Sequence, residues 1–339
     1  MPEPSTILAA ALVAVVPSLA YLFVLNLIDR YEKEPWTILL ACIGAGALVA
    51  PAVSVVILVL LGRQATLPPA FAPGPRADAL VGIVEELAVG GVLLVITRSV
   101  RGEFDDVLDG VIYGSAVGAG FGAAESFLWA LGDTHTLGAS AVAHLVVAGL
   151  NHAFYGAVIG AILGWSQWMP PARRWTAVAL GVLTAAWFHA FHDTLPVILA
   201  RLMDRPDAAA GTATRLVAEA VNWLGIGVLV AIVLLAWRRE ARILRAELHD
   251  EVRDGVVPAD DYATITSFGG RLRRQAALLR SEGLGPVRRQ RRRYAAEGEL
   301  AFHKWQAGVR PGGAADPAKG EVLRGLIRSL ADGEPGATS

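Results

Sequence analysis

The sequence has little charge and almost no cysteine. Charged residues make up 18% of the 339 residues, against about 25% in a typical soluble domain. The one cysteine, Cys42, has no partner for an internal disulfide, and its apolar neighbours do not activate the thiol. The chain has no phosphate-binding glycine loop followed by lysine, no His-Glu-x-x-His zinc motif and no repeat of fixed period. These absences exclude disulfide-stabilised folds, P-loop nucleotide hydrolases and zincin-type proteases.

Apolar sequence is abundant instead, with 54% hydrophobic residues and a mean hydropathy of +0.47. Runs of about 20 apolar residues, the length at which a helix crosses a roughly 30 Å hydrocarbon core, recur along the chain. The first run has no basic segment before it and is long enough to span, so we interpret it as a span and not as a cleavable signal. The predicted fold class is therefore an all-α, polytopic membrane helix bundle with a mostly helical polar tail. We predict seven spans, at residues 7–28, 38–61, 79–97, 108–131, 140–166, 174–199 and 216–237.

The chain divides near Trp237 into a transmembrane domain, residues 1–237, and a basic tail, residues 238–339. The tail holds 19 basic and 14 acidic residues, a net charge of +5, which is too modest to predict nucleic-acid binding. Four arginines follow the last span, so the positive-inside rule predicts a cytoplasmic C-terminus and, with seven spans, an outside N-terminus. They are Arg238, Arg239, Arg242 and Arg245. We expect a multi-pass protein of the plasma membrane.

Hydrophobic periodicity in the tail predicts helices at residues 238–254, 260–280 and 290–306. Residues 311–320 and the last residues, rich in Gly, Pro and Ala, are predicted to be disordered. A run of five arginines is interpreted as a solvated basic face, with contact to anionic lipid headgroups as the alternative. The run consists of Arg288, Arg289, Arg291, Arg292 and Arg293.

Carboxylates and histidines occur inside the predicted spans, where charge is costly. A charged side chain at bilayer depth costs at least roughly 2.5–3.5 kcal/mol, and Glu85 and Glu86 stand next to each other in the third span. A hydrogen-bonded structural pair is the alternative, but it is an expensive way to stabilise helices. Further candidates are Glu125 in the fourth span, His152 in the fifth, and His189 and Asp193, four residues apart, in the sixth. The other polar residues are interpreted as structural or interfacial: His135, His144, His192, Asp109 and Glu219.

The depths of the six candidates agree. With the C-terminus inside, Glu85, Glu86, Glu125, His189 and Asp193 all lie about 9–15 Å below the outer boundary at 1.5 Å per residue. His152 is about as deep or slightly deeper. Four helices can therefore bring six polar side chains to one level in the outer half of the bilayer. Frequent glycines, such as Gly114, Gly118 and Gly122 at four-residue spacing, are predicted to pack these helices closely.

Several motifs together resemble the PrsW family of intramembrane proteases, which is related to the type II CAAX prenyl endopeptidases. They are Asp29-Arg30-Tyr31-Glu32-Lys33-Glu34-Pro35-Trp36, Glu85-Glu86, Phe121-x-x-x-Glu125, Asn151-His152-Ala153 and His189-x-x-x-Asp193. The resemblance covers roughly residues 7–237 and implies a helical membrane fold in a largely bacterial family. It also implies peptide-bond hydrolysis centred on Glu85 and Glu86, with the other four candidates around them. The implied substrate is a single-pass membrane protein, such as an anti-sigma factor, cut on its outer side.

The Glu85-Glu86 motif departs from the family pattern, which reads Glu-Glu-x-x-Lys, because Val89 stands at the lysine position. A lysine one turn from Glu85 would neutralise one carboxylate. Without it, the site keeps an extra proton, binds a cation or has lost activity.

The interpretation favoured by the sequence is a metal-free endopeptidase without cofactors. Glu85 or Glu86 would act as general base on a water, and His152 or His189 would stabilise the oxyanion or protonate the leaving amine. Asp193 would orient His189. A zinc or other divalent ion held by Glu86, His152 and His189 is the alternative, since carboxylates and imidazoles suit zinc.

Two rival functions remain at this stage. A cation- or proton-coupled transporter also needs intramembrane carboxylates, although the sequence shows no inverted repeat. A catalytically inactive membrane scaffold is supported by Val89. The sequence gives no signal for an oligomeric state.

Overall fold

The structure, a computed structural model, describes residues 3–28, 33–62, 79–100, 104, 106–132, 139–167, 169–204, 212–267, 269–309 and 316–331. Every regular element in these ranges is a helix, which confirms the all-α prediction. The first seven helices are α1 (Pro4–Ile28), α2 (Trp36–Leu60), α3 (Ala79–Ser99), α4 (Val107–Gly132), α5 (Ala139–Ser166), α6 (Pro171–Leu202) and α7 (Thr212–Arg253). The tail adds α8 (Ala259–Ile265), α9 (Gly270–Ser281), α10 (Leu284–Val309) and α11 (Pro317–Ala331).

Five helices in the described ranges are long and apolar enough to cross a membrane: α1, α2, α3, α4 and α7. Helices α5 and α6, with 28 and 32 residues, also have sufficient length. Their crossing of the bilayer stays a prediction. Proline sets the start of two helices, since Pro35 precedes α2 and Pro171 is the first residue of α6, where a missing N–H costs nothing.

The chain forms two compact units, which we describe separately. The first consists of Met1–Asp29 and Glu34–Val233, and the second of Arg30–Lys33 and Leu234–Ser339. The predicted domain boundary at residue 237 lies close to this division.

Helix α4 is the centre of the first unit. Within an apolar stretch of 18 residues, 78% of the residues of α4 are buried, whereas only 22% are buried in the corresponding stretches of α1 and α2. Its glycines allow α5 to approach closely: a Cβ at Gly114 or Gly118 would collide with a backbone carbonyl of α5, at Gly156 and His152 respectively. A Cβ at Gly122 would meet the backbone of Gly149 and the His152 side chain. The predicted packing role of these glycines is confirmed, and the contact fixes the backbone of His152 against α4.

The family-like segment before α2 also reaches α4. Glu34 is buried and accepts a hydrogen bond from the hydroxyl of Tyr113 on α4. Residues 29–32 of the same motif lie outside the described residues. Glu34 therefore ties the start of α2 to the central helix.

The second unit has its own hydrophobic core, in which Leu244, Leu248, Tyr294, Leu300 and Ile327 are fully buried. Two ionic clusters lie beside this core. Hydrogen bonds from Arg324 and Lys304 lower the pKa of Glu251. Burial and the nearby Asp261 raise the pKa of Glu297 to about 8.

Three predictions for the tail need correction. The predicted helix at 260–280 is two helices, α8 and α9, because residues 266, 267 and 269 are not helical. The predicted disorder of 311–320 is wrong from residue 317 onward, where α11 begins. Helix α11 buries Leu323, Ile327 and Leu330 at helical spacing, and this amphipathic face outweighs the Gly- and Pro-rich composition before it. Residues 310–315 and 332–339 lie outside the described residues.

The third correction concerns the arginine run. Arg293 forms ion pairs with Asp261 and Glu297 and does not belong to a solvated face. The other four arginines of the run are exposed, as predicted.

Candidate active site

The structure brings all six predicted side chains together in the first unit. Helix α3 supplies Glu85 and Glu86, both nearly inaccessible to solvent at 2% and 1%. Helix α4 supplies Glu125, α5 supplies His152, and α6 supplies His189 and Asp193. Four helices therefore converge on one polar cluster inside an otherwise apolar bundle. The catalytic role of these residues stays a prediction.

Glu86 lies between the two histidines. Its Oε1 atom is 3.0 Å from His189 Nδ1 and 3.9 Å from His152 Nδ1. The two imidazole rings meet edge to face, with their centroids 5.0 Å apart. The Nδ1 atoms of both histidines are thus directed toward the same carboxylate.

The opposite nitrogen of each histidine faces another carboxylate. His152 Nε2 lies 2.7 Å from Glu125 Oε2. His189 Nε2 lies 3.5 Å from Glu85 Oε2 and 3.7 Å from Asp193 Oδ2. An ionised carboxylate only accepts hydrogen bonds, so the 2.7 Å contact with Glu125 places the ring proton of His152 on Nε2 and leaves its Nδ1 lone pair toward Glu86. In His189 the hydrogen-bonded nitrogen is Nδ1, 3.0 Å from Glu86, and the contacts of Nε2 are longer.

Close packing holds the His189 ring in place. The ring of Tyr155 on α5 stacks on it, with centroids 5.0 Å apart and planes at 16°. A Cβ at Gly82 of α3 would also come within 3.2 Å of the ring. Asn222 on α7 in turn donates a hydrogen bond of 2.8 Å from Nδ2 to the Tyr155 hydroxyl.

Sequence reasoning missed several residues of the cluster. His192, interpreted above as structural, lies 3.3 Å from Asp193 through Nδ1 and 2.8 Å from Glu219 through Nε2. Glu219 on α7, interpreted as interfacial, also accepts hydrogen bonds from Asn151 at 3.2 and 3.3 Å. The available signal was that each is a polar residue inside or next to an apolar run. The sequence does not show which polar residues of one helix contact those of another.

Glu86, His152 and His189 can hold a metal ion. Each offers one ligand atom, and these atoms lie within 4.8 Å of one another. Glu86 Oε2 and His152 Nδ1 are buried and have no hydrogen-bond partner among the described residues. Two imidazoles and one carboxylate are a ligand set that zinc uses in hydrolases. The residues therefore fit a divalent metal, and they are the three predicted for that case.

Comparison with known proteins agrees with this geometry. The profile described as "PrsW family intramembrane metalloprotease" matches residues 34–236, more than half of the chain. The chain belongs to the PrsW family of intramembrane proteases. It is also similar to "Protease PrsW" of Geobacillus kaustophilus (strain HTA426), at 25% identity over 183 residues, which cover 53% of this chain and 76% of that protein. No solved structure matches the chain.

All six predicted site residues lie within the matched range. Val89, at the position of the family lysine, is buried on α3 with 1% exposure. Neither α4 nor α5 contains a lysine or arginine. Position 89 therefore supplies no positive charge to the six predicted site residues, four of which are carboxylates.

Proposed function

We propose that this protein is an intramembrane metallo-endopeptidase that cleaves a membrane-anchored protein in the outer half of the bilayer. The observation that carries the proposal is the buried group Glu86, His152 and His189, with two buried atoms that lack hydrogen-bond partners among the described residues. The sequence alone favoured a metal-free mechanism. The close approach of four carboxylates to two histidines, with valine at position 89, favours a bound cation instead.

The ligands would be Glu86 and the Nδ1 atoms of His152 and His189. When bound, a zinc ion polarises a carbonyl and lowers the pKa of a water molecule. Glu125 accepts a hydrogen bond from Nε2 of His152, which leaves Nδ1 of that ring for the metal. Nδ1 of His189 would give up its hydrogen bond to Glu86 in order to hold the metal, and Glu85 and Asp193 face Nε2 of the same ring.

Glu85 is the proposed general base. It is adjacent to Glu86 but not one of the three metal-binding residues, and its Oε2 lies 3.5 Å from His189 Nε2. A carboxylate there takes a proton from the attacking water at Oε2 and delivers it to the leaving amine. Burial excludes bulk water from the cluster, which strengthens the hydrogen bonds within it.

The proposed substrate is a single-pass membrane protein, such as an anti-sigma factor. The cluster lies among helices that are apolar enough to cross a membrane, so the scissile bond must reach it within the bilayer. We also propose an outside N-terminus and a cytoplasmic C-terminus, which place the cluster toward the outer leaflet.

Membrane proteomics with and without the gene tests the substrate: one single-pass protein should be shorter when the gene is present. That protein is then reconstituted in liposomes with the wild type or with Glu85→Gln. Cleavage by the wild type alone supports the proposal. Proton flux without cleavage would indicate a transporter, and neither activity would indicate a scaffold.

A further inference from the structure

We infer that α7 completes the active site and that Glu219 is a positioning residue, which holds His192 and through it Asp193. The inference rests on the proposed function, because Asp193 orients a proposed metal ligand, His189. The family-like motifs in the sequence name neither His192 of α6 nor Glu219 or any other residue of α7.

A continuous series of contacts links α7 to the centre of the site. Glu219 Oε1 lies 2.8 Å from His192 Nε2, and His192 Nδ1 lies 3.3 Å from Asp193 Oδ1. The other oxygen of Asp193, Oδ2, lies 3.7 Å from His189 Nε2. Each nitrogen of His192 thus faces one carboxylate, and Asp193 uses one oxygen for each histidine.

Helix α5 adds a second contact to Glu219. Asn151 Nδ2 donates to both carboxylate oxygens, at 3.2 and 3.3 Å. Asn151 precedes the proposed ligand His152, so the same turn of α5 contacts the metal-binding group and α7. Glu219 consequently has its orientation fixed from two helices.

Within the first unit, one face of α7 contacts the other helices, and the remaining faces are exposed. Asn222, one turn after Glu219, donates to the hydroxyl of Tyr155, whose ring stacks on His189. A Cβ at Gly225, one turn further, would collide with Phe154. Elsewhere α7 exposes large apolar side chains, as expected for contact with lipid: Leu216, Val217, Trp223, Leu224 and Val228. Asn222 therefore contacts the ring that stacks on His189, and Glu219 is connected to His189 through His192 and Asp193.

The competing interpretation is that Glu219 only attaches α7 to α6. Glu219→Leu removes the acceptor for His192, whereas Glu219→Gln keeps one amide oxygen in the same place. Leu224→Ala, at a lipid-exposed position of α7, is the matched control. If Glu219 only attached α7, replacing it would leave the affinity of the site for zinc ions unchanged.

The experiment measures zinc binding to the full chain in detergent micelles by competition with a chromophoric chelator, and cleavage in liposomes. We expect Glu219→Leu to raise the zinc Kd about 10-fold, the lower end of the range for outer partners of metal ligands, and to lower kcat with KM unchanged. Glu219→Gln should stay within about threefold of the wild type, because it retains the acceptor. A zinc Kd and kcat of Glu219→Leu equal to those of Leu224→Ala would overturn the inference.

A second pair of variants covers the case in which Glu219→Leu does not fold. His192→Phe keeps a planar aromatic ring but removes both ring nitrogens, and it should reproduce the loss of zinc affinity. His192→Phe with wild-type zinc affinity would also refute the positioning role. Zinc binding by the wild type and by Glu86→Gln distinguishes a failure of the proposed function from a failure of this inference. If the wild type binds no zinc, the proposed function fails. If Glu86→Gln abolishes binding while the Glu219 and His192 variants bind normally, only this inference fails.

Discussion

Replacing each of the two adjacent glutamates separates their proposed roles. Glu85→Gln and Glu86→Gln keep the side-chain shape, but an amide takes up no proton and binds a metal weakly. Both variants should lose nearly all cleavage. Because Glu86 is one of the three proposed ligand residues and Glu85 is not, only Glu86→Gln should also lose zinc binding.

The magnitude for Glu85 follows from its place in the structure. It is 2% exposed and lies 3.5 Å from His189, so bulk water cannot replace it as the base. Loss of a general base typically costs about 10²–10⁴-fold in rate. We therefore expect Glu85→Gln to lower kcat by about 10³-fold, with unchanged zinc binding.

The assay is cleavage of a single-pass substrate in liposomes, with zinc affinity measured on the same preparations. Gel filtration and thermal unfolding establish that both variants insert and fold. Cleavage at the wild-type rate by both variants would refute the mechanism. Loss of zinc binding in Glu85→Gln but not in Glu86→Gln would reverse the assigned roles.

Three further predictions concern other parts of the chain. Val89→Lys places a cation one turn from Glu85 and favours ionised carboxylates, so the acid limb of the pH–activity profile should move to lower pH; an unchanged profile in a folded variant would mean that position 89 does not face the cluster. The raised pKa of Glu297, about 8 against 4.5 for a free glutamate, means that the folded tail binds a proton that the unfolded chain releases. The stability of the tail unit should therefore fall as pH rises from 4.5 to about 8, and Glu297→Gln should remove this dependence in thermal unfolding followed by tryptophan fluorescence. Truncation after Arg245 should leave cleavage unchanged in liposomes, since all residues of the cluster precede it; loss of activity in a correctly inserted truncated protein would show that the tail takes part in the chemistry.

The class of fold was predictable because membrane helices need long apolar runs, and those are visible in one sequence. The glycine spacing on α4 was equally informative, since a four-residue spacing places Gly114 and Gly118 on one face, where they pack against α5. Helix α11 was missed because its buried face, at Leu323, Ile327 and Leu330, lies beyond a Gly- and Pro-rich segment whose composition resembles disorder.

Six residues of the candidate site were predictable from the sequence, but His192, Glu219 and the contacts between helices were not. Charge inside an apolar run is costly, so Glu85, Glu86 and Asp193 were conspicuous. His192 and Glu219 belong to different helices, and only their distance of 2.8 Å reveals that they form a pair. The direction of the His189 ring likewise depends on packing against Tyr155 and Gly82, which belong to other helices.

The most direct test of the central claim is to measure zinc content and substrate cleavage on one reconstituted preparation, before and after removal of the metal by a chelator. The proposed arrangement of Glu86, His152 and His189 predicts that cleavage falls with the bound zinc and returns when zinc is added back. Full cleavage by a preparation from which all metal has been removed would contradict it.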